Sequence, residues 1–502
     1  MSAQNVTLDR GAAALGSTLA SVGTTGRVLT VAAHPDDEDT PIIAWLAKGR
    51  HVETAYLSLT RGDGGQNLIG NELGEALGAI RTQELLSARR IDGGRQYFTR
   101  AYDFGFSKNA EETYTHWPKD SILGDVVRVV RAFRPHVMVA FFSGTPRDGH
   151  GHHQVSGILA REAYDLAADT VRFPVKGFGL PWTPQKFYRS ARQAPDSATL
   201  RVNVGEYDAL LGRSYYEIAA ESRSQHKSQG FGVLQKKGAI LGFLSREASR
   251  VGPENARSEQ SLFDGIDTTW TALRGTLPST AQPVLDSALR AITSVRTAYR
   301  SDDPSPIVTP LAQALRQLRD VRNASGSGPG ILITGRPGAP FSLSRRARDE
   351  APPALWDALA TTIDRAERAL VLAAGVAVEA TAPRATFPVR EAVKIAVNDS
   401  LPVTITVFNR GRAAVQLLNA SVVGLGLRPG EAGDVAISPD SAAVLNRWAV
   451  AFQANSPWWR AFGRKQQDWF QAPIDARTES QQQEQRATMV QARLMIAGES
   501  VT

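Results

Sequence analysis

The 502-residue chain contains no cysteine, which excludes disulfides, thiolate-held metals, iron–sulfur clusters and a cysteine nucleophile. Nowhere does it approach the roughly 18 consecutive apolar residues of a membrane span, so no transmembrane segment is expected. The first 26 residues lack both a basic start and an apolar core, so no signal peptide is expected within them. Compartment stays open, and the small polar residues behind Met1 suit an exported mature protein. A Gly-x-Ser-x-Gly elbow, a Walker loop and a complete Gly-x-Gly-x-x-Gly fingerprint are all missing, which argues against a serine-hydrolase, P-loop or dinucleotide site. The formal charge is +7, yet the basic residues are scattered singly or in pairs such as Arg89-Arg90 and Arg345-Arg346. No basic run is interleaved with aromatics, which argues against a nucleic-acid partner.

What is present is ordinary for a folded chain: 42% hydrophobic and 21% charged residues, with length for two to four domains at roughly 150 residues each. From Arg27 to about Leu166, short β-rich runs alternate with helix-period segments. Val28–Ala33, Val52–Leu59 and His136–Phe142 read as buried strands. Thr40–Lys48, Glu72–Arg90, Ser121–Phe133 and Gln154–Ala167 read as the helices between and after them. This is the βαβα signature of an α/β fold with a Rossmann-like, mostly parallel sheet and flanking helices. A helical region is expected next, with helices over Ser258–Arg274, Ala281–Tyr299, Pro310–Val321 and Pro353–Ala374. Short alternating segments close the chain: Val376–Ala382, Ala392–Val397, Val403–Phe408, Val415–Val423, Trp448–Gln453 and Thr488–Ile496. They predict an antiparallel β-sandwich-like domain. The expected domains are therefore 1–250, 251–375 and 376–502.

The most informative segment is Ala32-Ala33-His34-Pro35-Asp36-Asp37-Glu38, at the carboxyl end of a buried strand, where open α/β sheets bind their ligands. His34 and Asp37 are three residues apart, and one turn can fold both onto one ion. Asp36 between them is left to face the water such an ion activates. The acidic run also complements the positive start of the following helix, a purely structural alternative. A second cluster, Gly149-His150-Gly151-His152-His153, again follows an apolar strand and leads into a helix. A strand-end His and Asp plus a second strand-end His make a three-ligand nitrogen/oxygen site with a position free, which suits catalytic zinc. Two imidazoles and a carboxylate also accept Fe²⁺, Co²⁺ or Mn²⁺.

These motifs, with Arg81-Thr82-Gln83-Glu84-Leu85 on a helix and Asp103-Phe104-Gly105, resemble the PIG-L/LmbE-like zinc-dependent N-deacetylases over about Gly26 to Gly230. The resemblance implies His34, Asp37 and His153 as metal ligands, Asp36 as general base and His150 as a second catalytic residue, with Arg81 and Asp103 as substrate contacts. Zinc is the implied cofactor. The implied reaction removes acetyl from an N-acetylated sugar or amino-sugar conjugate, giving acetate and a free amine. The family commonly spells its second motif His-Pro-Asp-His. Here it reads His-Gly-His-His, which makes His152 a rival ligand. Some relatives carry a Tyr two residues before the catalytic His, where this chain has Asp148.

Other features divide between function and structure. Arg61-Gly62-Asp63-Gly64-Gly65 either brings backbone N–H groups to a ligand or makes a tight turn. Arg81 contacts substrate or pairs with Glu84 along its helix. His226-Lys227-Ser228-Gln229 resembles a recurring family segment and belongs in the site wall or at a helix end. Trp448, Trp458, Trp459 and Trp469 either stack on sugar or fill the C-terminal core. The competing functional class is a metal-stabilised carbohydrate-binding or scaffold protein without activity. Oligomeric state is not legible.

Overall fold

The computed structural model describes residues 9–252, 258–325, 353–382, 395–423, 425–427, 434–452, 458–460, 463–464, 466–471 and 489–502. Its first layer is a seven-stranded sheet. From edge to edge the strands are Arg95–Phe98, Glu53–Ser58, Arg27–Ala32, Val137–Ala140, Lys186–Ser190, Leu241–Ser249 and Leu200–Asn203. The first five are mutually parallel, and Leu241–Ser249 joins antiparallel to both of its neighbours. Strands Arg27–Ala32 and Val137–Ala140 are almost wholly buried, as expected for continuous apolar runs covered on both faces. Helices Lys119–Phe133 and Gly151–Leu166 cover one face and share a core with Leu29, Val31, Leu57 and Met138. Ile42, Trp45, Ile218 and Ala219 cover the other, against Val28 and Val139.

The mixed sheet with flanking helices is the expected α/β layout, extended by an antiparallel edge that the sequence pattern did not reveal. The expected helix over Ser258–Arg274 is a correction: only Trp270–Arg274 is helical. Upstream, the Asp264 carboxylate accepts from the backbone N–H of Gln260 and Ser261, and Gly265 takes φ +78°. Such local side-chain bonds compete with the helical ladder. Helices Gln282–Ala298, Val308–Ala324 and Pro353–Ala373 follow the apolar periodicity. The N-terminal helix Gly11–Ser21 packs with them, placing Leu15 and Leu19 in their core.

Two four-stranded antiparallel sheets complete the fold. One orders Val376–Thr381, Ser400–Asn409, Ser441–Val450 and Gly426–Leu427; the other orders Val435–Ile437, Val415–Val423, Met489–Ile496 and Glu499–Val501. Val403, Ile405 and Ala449 of the first meet Val422 of the second. The strand expected over Trp448–Gln453 is instead Ser441–Val450. Of the one expected over Ala392–Val397, residues 392–394 lie outside the described residues, and Ile395–Val397 is not strand.

Candidate functional site

In the sheet, the chain runs outward from Arg27–Ala32 through Glu53–Ser58 to Arg95–Phe98, then returns to Val137–Ala140 on the other side of the first strand. The switch point therefore lies between Arg27–Ala32 and Val137–Ala140, and at their carboxyl ends it leaves a crevice of the kind where such sheets hold ligands. The two motifs leave from these strand ends. Ala33–Asp39 turns into the helix Thr40–Ala44, which has Pro41 in its first turn and Asp39 as N-cap. Phe141–Gly149 turns into the helix Gly151–Leu166. That helix begins three residues before the expected Gln154, so His150 is its N-cap and His152 and His153 occupy its first turn.

His34 is 8% exposed and lies at the centre of the cluster. Its backbone N–H and Nδ1 both meet Asp37 Oδ2, at 2.7 and 2.9 Å. Tyr56 donates its hydroxyl proton to the His34 carbonyl at 2.5 Å, and His34 Nε2 lies 3.1 Å from His152 Nδ1. His153 Nε2 is 3.6 Å from Asp37 Oδ1. Two triads therefore bring one potential ligand atom each to within 4.8 Å of one another: His34, Asp37 and His153, and His34, His150 and His152.

Hydrogen bonds fix the imidazole tautomers. His153 Nδ1–H donates to the Asp148 carbonyl at 3.2 Å, so its Nε2 lone pair faces Asp37 and is free to ligate. Its ring stacks flat on Phe142 at 3.9 Å. His150 Nδ1 accepts the N–H of His152 at 3.1 Å, which places the proton of the neutral ring on Nε2. His152 is fully buried, stacked on Trp117 at 4.2 Å and met edge-on by Phe104 at 4.4 Å.

The charges follow from this packing. Burial alone would lower the pKa of His34, but Asp37, by charge and hydrogen bond, with Asp103 and Asp36 nearby, raises it to about 9. Asp37 is also buried, which would raise its pKa, yet His34 and then His153 hold it well below the usual carboxylate range. Burial, then the charge of His34 and of His153, brings His150 down to about 3. Burial also lowers His153, and His152 further still.

Asp36 stands at the mouth and is ion-paired with Arg81, whose other Nη donates to the Gly62 carbonyl at 3.1 Å. Arg81 is 3% exposed, and its carboxylate partner is Asp36 rather than Glu84. Gly62 has φ +74°, and a Cβ there would lie 2.3 Å from Arg81 Nη1. The glycine loop therefore lets the guanidinium lie close beneath it. Asp103 is equally buried, 3.8 Å from both His34 Nε2 and His152 Nδ1. Asp148 accepts from the backbone N–H of Ser143, Gly144 and Thr145, so the residue standing where some relatives have Tyr organises the loop.

The His226–Gln229 segment binds three motifs together from behind. His226 Nε2 meets Glu38 at 2.7 Å, Ser228 N–H and hydroxyl donate to Glu84 at 2.7 and 2.6 Å, and Gln229 donates to the Gln66 carbonyl at 2.8 Å. Tyr56, Trp117 and His116 around the cluster were not singled out from the sequence. Tyr56 and the His116-Trp117 pair belong to no motif, their places depend on distant packing, and only the motif density nearby could have drawn attention to them.

Histidines and aspartates that could hold a metal ion converge at the switch point of an open α/β sheet, which defines the class: an α/β protein with a candidate metal site. Residues 29–164, within this α/β domain, match the PIG-L family, described as GlcNAc-PI de-N-acetylase. It is similar to the mycothiol S-conjugate amidase of Streptomyces coelicolor, 29% identical over 32% of this chain and 59% of that protein. It is also similar to the 1D-myo-inositol 2-acetamido-2-deoxy-alpha-D-glucopyranoside deacetylase of Rhodococcus opacus, 32% identical over 34% of this chain and 62% of that protein. The match thus spans about three-fifths of these relatives' length. Among solved structures, the N,N'-diacetylchitobiose deacetylase of Pyrococcus horikoshii aligns at TM-score 0.30 and 19% identity, over 40% of this chain and 70% of that one.

Proposed function

We propose that the chain is a metal-dependent N-deacetylase, hydrolysing the acetamide of an N-acetylated sugar or amino-sugar conjugate to acetate and a free amine. The observation that carries this is the convergence of His34, Asp37 and His153 ligand atoms at the switch-point crevice, with Asp36 beside them at its mouth. The names of the similar proteins, an amidase and a deacetylase of acetylated amino-sugar conjugates, agree with it.

The donor set fits a divalent cation of the zinc type: two imidazoles and one carboxylate, with no thiolate in the chain. His153 is preset by its bond to Asp148 with a free lone pair. His34, Asp37 and His153 keep side-chain exposures of 10, 15 and 21%, so the triad retains an open side toward solvent. The alternative triad ends on His152, whose ring is fully enclosed, and an ion there would have little room for water or substrate. We therefore assign His34, Asp37 and His153 as ligands.

When bound, the metal would supply Lewis-acid activation of water and of the amide carbonyl. Asp36, with one oxygen held by Arg81, keeps its other oxygen to accept the proton of the attacking water and pass it to the departing nitrogen. His150, neutral with its proton on Nε2, donates a hydrogen bond to the oxyanion of the tetrahedral intermediate. Arg81 positions Asp36, and the crevice between the Gly62–Asn71 and Tyr102–Tyr114 loops receives the sugar.

The test is acetate release from N-acetylglucosamine conjugates and chitooligosaccharides by metal-stripped protein before and after Zn²⁺ addition. Activity that appears only with the metal supports the reading. Metal binding without acetate release from any substrate would favour a carbohydrate-binding scaffold instead.

A further inference from the structure

Between the strands Ser441–Val450 and Met489–Ile496 the chain leaves the C-terminal sheets, and residues of this excursion lie against the α/β domain beside the candidate site. Phe470 N–H donates to the Arg100 carbonyl at 2.7 Å, and Tyr102 N–H donates to the Asp468 carbonyl at 2.9 Å. Ala101 and Trp469 thus form an antiparallel bridge. Trp459 is 1% exposed. Its ring packs on Phe470 at 4.8 Å, with the Arg61 guanidinium at 4.6 Å. Arg464 lies 3.5 Å over the Tyr102 ring and pairs with Glu75 at 3.3 Å.

The segment so gripped, Tyr102–Phe106, carries Asp103 and Phe104, and a continuous series of contacts leads inward from it. Asp468 Oδ2 meets His116 Nδ1 at 2.8 Å. The His116 ring stacks on Phe104 at 4.0 Å, Phe104 meets His152 edge-on at 4.4 Å, and His152 Nδ1 reaches His34 Nε2 at 3.1 Å. Two facts separate this series from general stabilisation. Asp468 and His116 are 31 and 39% exposed, so their pair contributes little to folding. The last ring of the series, His152, in contrast touches the proposed metal ligand His34 directly.

We propose that Asp468, delivered by the C-terminal domain, is a positioning residue of the candidate metal site, acting through His116 and Phe104 on His152 and His34. The inference rests on the assignment of His34 as a ligand, and it makes the C-terminal domain a structural part of the catalytic centre. Asp468 touches no reacting atom. Its role is to hold His116 in the stacked orientation that keeps the His152 ring upright behind His34.

The test uses the full chain, as the parent and as Asp468→Ala, Asp468→Asn and the same-domain control Asp434→Ala. Metal-stripped protein is titrated with Co²⁺ alone, reading affinity and the visible ligand-field spectrum. Thermal melting and imidazole ¹⁵N shifts are recorded on the metal-free samples. Asp468→Ala should weaken Co²⁺ binding by about tenfold, as outer partners of ligating histidines do, with a changed spectrum, moved His152 and His34 signals and a near-parental melting temperature. Asp468→Asn keeps an oxygen that accepts from His116 Nδ1–H and should restore parental behaviour, and Asp434→Ala should match the parent throughout. Parental Co²⁺ affinity, spectrum and imidazole shifts in Asp468→Ala would overturn the proposal. So would equal losses in the Ala and Asn variants, or loss only in step with the melting temperature. A parent that binds no Co²⁺ would instead refute the ligand assignment itself, while its imidazole shifts would still report whether Asp468 orients His152.

Discussion

At the scale of single residues, the three clustered histidines differ in what their side chains can still do. His152 is enclosed by Trp117 and Phe104, His153 is preset by the Asp148 carbonyl, and His150 keeps a proton on Nε2. His153→Ala should therefore lower metal affinity at least tenfold, while His152→Ala should lower it less and mainly loosen the packing, as metal titration beside thermal melting can read. Loss of binding in His152→Ala with retention in His153→Ala would reverse the ligand assignment. Asp36→Asn should keep metal stoichiometry but cut turnover by roughly 100- to 10,000-fold, the range of a lost general base. Metal uptake should also depend on pH. His34 is held up to about 9, above its ordinary 6.5, so an incoming ion must displace its proton. Apparent affinity should then rise by about tenfold per pH unit between pH 6 and 8. Competition titrations that find a flat profile would contradict a protonated His34.

At the scale of elements, the site is made by loops lying over one another. The glycine loop after the strand Glu53–Ser58 carries Asp63, which burial and then the neighbouring Asp103 push up to about 7. An acid whose folded pKa is raised favours folding while it is protonated, and that contribution is lost as pH rises from about 3.8 through 7. Asp63→Asn removes the titration without changing shape. It should leave the melting temperature unchanged near pH 4 and raise it at pH 8, with an upper limit on the order of 4 kcal/mol at 1.36 kcal/mol per unit. Equal melting of the two proteins at pH 8 would show that Asp63 is ionised without cost.

At the scale of the whole molecule, the helix Pro353–Ala373 is tied to the amino ends of two inner strands, opposite the site. Arg365 pairs with Glu53 at 2.6 Å, and Asp357 with Arg134 at 2.5 Å and Arg27 at 3.2 Å. Beside Glu53 and Arg365 is a cavity of about 110 Å³, also lined by Lys48, His51, Arg95 and Asp364. Burial would raise the pKa of Glu53, but Arg95, Arg365 and Arg27 bring it down to about 2. The stabilisation from a depressed carboxylate is present above its unfolded pKa of 4.5 and is lost as pH falls toward 2. Glu53→Gln should destabilise the protein at pH 7 by about 3 kcal/mol, because a buried cation loses its partner. The gap should narrow as the pH drops below 4.5. Denaturant unfolding at pH 7 and pH 3 checks both the size and the direction.

The sequence by itself determined the α/β layout, three of its parallel strands and the two motifs at strand carboxyl ends. Burial on both faces writes itself as continuous apolar runs, and the ligand crevice of an open sheet is a consequence of strand order. His34, Asp36 and Asp37 could be read together because they share one turn. The strands Lys186–Ser190, Leu241–Ser249 and Leu200–Asn203 on one side of the sheet were not legible, since they carry mixed burial and little periodicity. Nor was the start of the helix at Gly151, where glycine and histidines mask the period. Only the tertiary structure decided that Arg81 pairs with Asp36, that His226 and Ser228 bind Glu38 and Glu84, and that Asp468 reaches His116 across 352 positions of chain. These are non-local contacts, chosen by which loops the packed sheet and sandwich bring side by side, and no spacing along the chain encodes them.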